Sequence, residues 1–305
     1  MADKPSRALI FYGDGLARFV SPTHTHLHCF AARACCGFLA LPHSPPSENE
    51  DARITREFSE LLDASEAYEN MIAREFVGDK SQEMHVVPTV QERFMGMKAA
   101  VITNNSSLSS VGSRLGLNVL HWNKLNLSLL ASELLKLLGF QEGKALETNQ
   151  FDLIFVHIGA GEKINDLKGI EFVNHLVGEL IHIAQLGNDI GSRLHMSVIV
   201  SYGATLVDDN SVFSISDANP KSNNELSLLF PCQSYTMKAG KPHKNVRHYS
   251  PMLVAQCQNA VTRKDMVEEF SFRDFTENGG NLAVPADRFI HEVAFKLWKA
   301  PKYGA

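Results

Sequence analysis

The sequence predicts an α/β protein, a three-layer α/β/α sandwich around a mainly parallel sheet. Three observations lead there. The run FDLIFVHIG, residues 151–159, is apolar almost throughout, as a strand covered on both faces should be. Shorter apolar runs of strand length recur at residues 8–12 (ALIFY), 98–103 (KAAVIT) and 196–201 (MSVIVS). Segments with helical apolar spacing lie between them, and alternation of strand and helix favours parallel pairing with helices on both faces.

In chain order, ALIFY is a buried strand stopped by the tight turn Gly13-Asp14-Gly15. Residues 27–40, rich in Ala, Leu and Cys, are expected to be helical, with Cys35 and Cys36 as packing residues inside that helix. Leu41 to Asp51 holds three prolines and is a loop. From Ala52 to about Phe76 the spacing of Ile54, Phe58, Leu61 and Leu62 is helical, with charges on the other faces. GLNVL (116–120) is a short strand, Leu125 to Leu138 an amphipathic helix ended by Gly139, and 167–187 a helix with Gly187 as its stop. Residues 208–224 form a polar loop, and PMLVA (251–255) is a further strand. Ala286 to Trp298 is a final helix with Phe289, Val293, Leu297 and Trp298 on its apolar side. Pro301 prevents its continuation, so 299–305 is a frayed or docking tail on a single domain spanning 1–305.

The chain has 305 residues, is 44% hydrophobic and carries a net charge of −5, with its basic residues scattered. Neither a nucleic-acid nor a membrane partner is expected: there is no basic cluster, and no apolar stretch reaches the ~20 residues of a membrane helix. The five cysteines, Cys29, Cys35, Cys36, Cys232 and Cys257, are odd in number and form no CxxC pair. That favours reduced thiols in the cytoplasm, as does the lack of a secretory leader in MADKPSRALIFYGDG.

Several segments taken in order resemble the archaeal-type, cofactor-independent phosphoglycerate mutases of the alkaline-phosphatase superfamily. ALIFYGDGLA resembles the first strand of that family and its metal-binding Asp, here Asp14. Pro45-Pro46-Ser47-Glu48 resembles the loop that carries a nucleophilic hydroxyl, here Ser47. FDLIFVHIGAGEKINDLKGIEFVN resembles the segment with Asp-Glu-x-x-His, and MSVIVSYGAT the one with an Asp-His pair. RHYSPMLVA resembles the segment with the last metal-binding His. The resemblance implies an alkaline-phosphatase-like fold and a two-metal site in which divalent ions activate the hydroxyl and hold phosphoryl oxygens.

Measured against that pattern, much of the site is gone. The Asp-Glu-x-x-His segment reads Gly161-Glu162-Lys163-Ile164-Asn165, and the Asp-His pair reads Gly203-Ala204. A lysine there opposes a metal, and Gly-Ala offers no ligand. Asp14, Glu162 and His248 (or His243) are the metal candidates and Ser47 the catalytic one. Each has an ordinary alternative: Asp14 as a turn residue, Ser47 as a helix cap or surface serine. His157, at the carboxyl end of its strand, is a ligand candidate or a satisfied strand-end histidine. Arg247, His248 and Arg263 make a candidate anion patch or are surface charges. His24, His26 and His28 with Cys29 would suit zinc on a strand but fan out on a helix. Gly13-Asp14-Gly15 also resembles the opening of a dinucleotide-binding turn, with Arg18 in place of the third glycine.

The expected function is a degenerate, non-catalytic or weakly active member of that superfamily, needing no cofactor and binding a phosphate-bearing small molecule. The alternatives are an active phosphate-ester enzyme using zinc or manganese on Asp14, Ser47, Glu162 and His248, and a scaffold subunit docking a protein partner through FKLWKAPKYGA.

Overall fold

The structure is a computed structural model describing residues 5–45, 48–65, 88–122, 129–159, 163–164, 167–184, 189–204, 237–238, 241–242, 246–247, 249–280 and 283–301. Its frame is an eight-stranded sheet. The strands are β1 (Arg7–Asp14), β2 (Cys35–Ala40), β3 (Ala99–Ile102), β4 (Asn118–Leu120), β5 (Leu153–Gly159), β6 (Leu194–Val200), β7 (Met252–Cys257) and β8 (Ala283–Pro285). Their spatial order is β8-β2-β7-β6-β1-β5-β3-β4. Every pairing is parallel except those of β7, which runs antiparallel to both neighbours.

β5 is central, as its unbroken hydrophobicity requires. Leu153 and Phe155 enter one core; Ile154, Val156 and Ile158 enter the other. The first core lies under helices α2 (Glu50–Leu61), α3 (Ser106–Arg114) and α7 (Arg288–Lys296). The second lies under α1 (Thr25–Ala31), α4 (Leu130–Leu137), α5 (Gly169–Ile183) and α6 (Phe272–Asn278). Helices on both faces explain why strand alternation is absent from β1, β5 and β6. No helix among the described residues is long and apolar enough to cross a membrane.

Several expectations need correction. Residues 27–40 are not one helix. The chain leaves α1 at Ala31 and Cys35–Ala40 is strand β2, so Cys35 and Cys36 pack in a sheet. A strand buried on both faces has no period of two and reads like a buried helix. The helix from Ala52 starts at Glu50, where Asn49 accepts from the Ala52 amide at 2.8 Å, and ends at Leu61. Its charges are not all outward: Arg53, Arg56 and Glu57 are buried. Trp298 does not join the core. It is 54% exposed and sits at φ 60° just past α7, whose inner face is Phe289, Val293 and, beyond the last turn, Leu297. The polar loop at 208–224, the stop at Gly187, most of the tail and the chain from 66 to 87 lie outside the described residues.

Candidate functional site

The parallel strands β1, β5 and β6 end together on one edge of the sheet, where α/β proteins bind ligands. Asp14 is the last residue of β1 and only 3% exposed. Gly15, at φ 67°, turns the chain away immediately after it, a conformation that suits a residue without a Cβ. Alternation along β1 points Asp14 to the same face as Tyr12 and Ile10, beneath α2.

There Asp14 meets a guanidinium. Arg53 Nη1 donates to Asp14 Oδ1 at 2.7 Å and Arg53 Nη2 to Oδ2 at 3.0 Å. The Ser201 hydroxyl, just past β6, adds a bond to Oδ1 at 3.1 Å and accepts from the Gly15 amide at 3.0 Å. Arg53 Nη1 also donates to Glu57 Oε2 at 3.1 Å. Glu57 is fully buried, with its other oxygen 3.5 Å from Arg247 Nη2 and 4.0 Å from Arg56 Nη2. Arg56 in turn makes a two-pronged pair with Glu48, at 2.7 and 2.9 Å. Arg247 is held by the bridge between Pro42 and Val246 and by its amide bond to Leu41. Three carboxylates, Asp14, Glu48 and Glu57, thus interlock with three guanidiniums, Arg53, Arg56 and Arg247.

Burial sets the electrostatics. It depresses the Arg53 pKa, but hydrogen bonds and charge from Asp14 and Glu57 outweigh it and raise the value. Burial raises the pKa of Glu57, with Arg247 and Arg53 pulling it back. Tyr12, its hydroxyl 3.5 Å from Glu57, is raised by burial and then by the charges of Asp14 and Glu57. His157 stands beside Tyr12 on β5, with ring centroids 5.5 Å apart. Its Nδ1 lies 2.9 Å from Thr103 Oγ1, and Nε2 is buried without a hydrogen-bond partner among the described residues. Burial, with help from Arg53 and against Asp14, brings its pKa down to about 4.

Among the described residues this edge does not fit a divalent ion at Asp14. Both carboxylate oxygens are committed, and a permanent cation already lies in contact with them. A guanidinium cannot be deprotonated to make way. Gly203 packs against Gly15, and the Ala204 carbonyl accepts from Arg18 at 2.8 Å. The pair that replaces Asp-His therefore lies beside Asp14 and adds no ligand there.

The other candidates separate. Asp14, His157 and Arg247 share this edge. Arg263 does not: β7 is antiparallel, so Arg247 precedes it at the carboxyl edge while the exposed Arg263 follows it at the opposite edge. Ser47, Glu162, His243 and His248 lie outside the described residues. The histidines of HTHLHC are on and before a helix. His24 and His28 both bond Ser21, but the His26 ring packs over Gly178 of α5, so the three do not gather at one point. The sequence reading missed Arg53, Arg56 and Glu57. One signal was available: Glu57 falls in register with Ile54, Phe58 and Leu61, a charge within the apolar stripe of α2.

The fold and the strand-end cluster define a mainly parallel, three-layer α/β architecture with an ion-paired carboxyl edge. No protein-family model matches the chain, and no curated protein matches its sequence. Among solved structures, it is similar to the PH0037 protein from Pyrococcus horikoshii, with a TM-score of 0.56 at 12% identity over 99% of both chains. It is also similar to the cofactor-independent phosphoglycerate mutase of Thermoplasma acidophilum, with a TM-score of 0.48 at 10% identity over 94% of this chain and 98% of that one. An alkaline-phosphatase-superfamily protein from Vibrio parahaemolyticus has a TM-score of 0.42 at 9% identity, covering 86% of this chain and 62% of that one.

Proposed function

We propose that this chain keeps an alkaline-phosphatase-like fold without its metal chemistry and acts as a non-catalytic or weakly active binding protein. One observation carries the reading: Arg53 occupies both oxygens of Asp14, the residue aligned with the first metal ligand. A buried aspartate needs a counter-charge, and a guanidinium fork provides it with two directed bonds where a metal would need several ligands. The ligand favoured is a phosphate-bearing small molecule at the carboxyl edge. There Arg53 Nε, Arg56 Nη1 and Arg247 Nε are buried donors with no acceptor among the described residues, and guanidiniums suit phosphate oxygens. Metal analysis of the purified chain, run beside hydrolysis of a generic phosphate monoester, tests the reading. The expected result is no stoichiometric divalent metal and no turnover above buffer. Two tightly held divalent ions per chain with metal-dependent hydrolysis would overturn it.

A further inference from the structure

Ser44 is placed unlike the other serines at this edge. It lies in the loop after β2, half-buried between the exposed His43 and Pro45. Its hydroxyl oxygen accepts from Arg56 Nη2 at 2.9 Å and from Arg247 Nη1 at 3.2 Å. These guanidiniums come from different elements, α2 and the segment before β7, and are only 6% and 4% exposed. Both guanidiniums also pair with carboxylates, Arg56 with Glu48 and Arg247 with Glu57, yet both still turn a donor to this one hydroxyl. Each also keeps an unspent buried donor, Arg56 Nη1 and Arg247 Nε.

We infer that Ser44 is a phosphorylation site and that Arg56 and Arg247 are the receiver of its phosphate. A phosphoserine brings a charge of about −1.5 to −2 and three acceptor oxygens, which match the spare guanidinium donors. Among the described residues, the carboxylates nearby, Glu48 and Glu57, are themselves engaged by Arg56 and Arg247, so neither is a free base for Ser44. The phosphoryl group therefore comes from a separate protein kinase, for which the following Pro45 leaves an extended segment. The kinase's base takes the hydroxyl proton, Oγ bonds to the terminal phosphorus of a nucleoside triphosphate, and the bond to the departing nucleoside diphosphate breaks. Covalent attachment is favoured over a free anion because Ser44 already fills the seat; a free phosphate would have to displace it. The inference rests on the proposed binding role of this edge only in its use of the same arginines.

The test uses the full chain carrying phosphoserine at position 44, titrated by phosphorus NMR when folded and again when unfolded in urea. The folded phosphate is expected to titrate at least about one pH unit below its unfolded midpoint near 6. Equal midpoints would overturn the inference. In parallel, a serine kinase that labels Ser44 in the unfolded chain is offered the folded chain with labelled nucleoside triphosphate. Labelling at Ser44, lost in Ser44→Ala, supports the site; labelling only when unfolded overturns it. Inorganic phosphate is the third arm. If it raises the melting temperature of Ser44→Ala and of the unmodified chain equally, the seat receives a free anion. That outcome would overturn the covalent inference while leaving the proposed binding function standing.

Discussion

Arg53 and Asp14 meet end to end, two nitrogens against two oxygens at 2.7 and 3.0 Å, with both residues almost wholly withdrawn from water. Removing one partner of such a pair leaves an uncompensated buried charge. Arg53→Ala should therefore cost about 3–5 kcal/mol of unfolding free energy. Arg53→Lys should recover only part, because an ammonium cannot reproduce the fork. Urea unfolding of the three proteins checks this; a loss below about 1 kcal/mol in Arg53→Ala would mean the pair is peripheral.

His157 predicts an acid sensitivity. Burial holds its folded pKa at about 4, below the ordinary 6.5. Between those values the unfolded chain binds a proton that the folded chain refuses. Its stabilising contribution is thus complete above pH 6.5 and lost as pH falls toward 4, up to about 3 kcal/mol. Urea midpoints at pH 7 and pH 5 should differ in that direction. His157→Gln should flatten the slope, and an unchanged slope would assign the acid sensitivity to other groups.

The strands β1, β3, β5 and β6 were legible because each is an apolar run of strand length between helix-periodic segments. β2 was not, because CCGFLA has neither period two nor a flanking turn signal that separates it from α1. β8 was missed because AVP is too short to register as a run and is made a strand by its pairing with β2. At the edge, Asp14 was found from its place after β1, and His157 from its place in β5. Arg53 and Glu57 were hidden by the ordinary rule that helix charges face water. That rule fails where charges neutralise one another in the core, and partners 39 residues apart in sequence carry no local signal.

Gly178 gives a prediction that runs against helix propensity. It lies inside α5, where alanine is ordinarily better by up to about 1 kcal/mol. A Cβ there would sit 2.6 Å from the His26 ring of α1. Gly178→Ala should therefore destabilise by roughly 1–3 kcal/mol, the cost of overpacking. Adding His26→Ala should return most of it. If Gly178→Ala is stabilising by itself, the two helices approach less closely than described.

Trp298 holds a left-handed conformation at the end of α7, where Lys299 N–H bonds the Ala294 carbonyl at 2.8 Å. A glycine adopts that conformation without the penalty of roughly 1 kcal/mol. With the indole more than half exposed, Trp298→Gly should leave the melting temperature unchanged or raise it. A marked fall would show that the ring anchors the helix end after all.

The most direct test of the central claim is a zinc and manganese binding titration of the purified, metal-stripped chain beside Arg53→Ala. The account predicts no binding at Asp14 in the natural chain and no change in its melting temperature on adding either metal, because Arg53 already neutralises that carboxylate. Stoichiometric metal binding to the natural chain that is abolished by Asp14→Asn would contradict it.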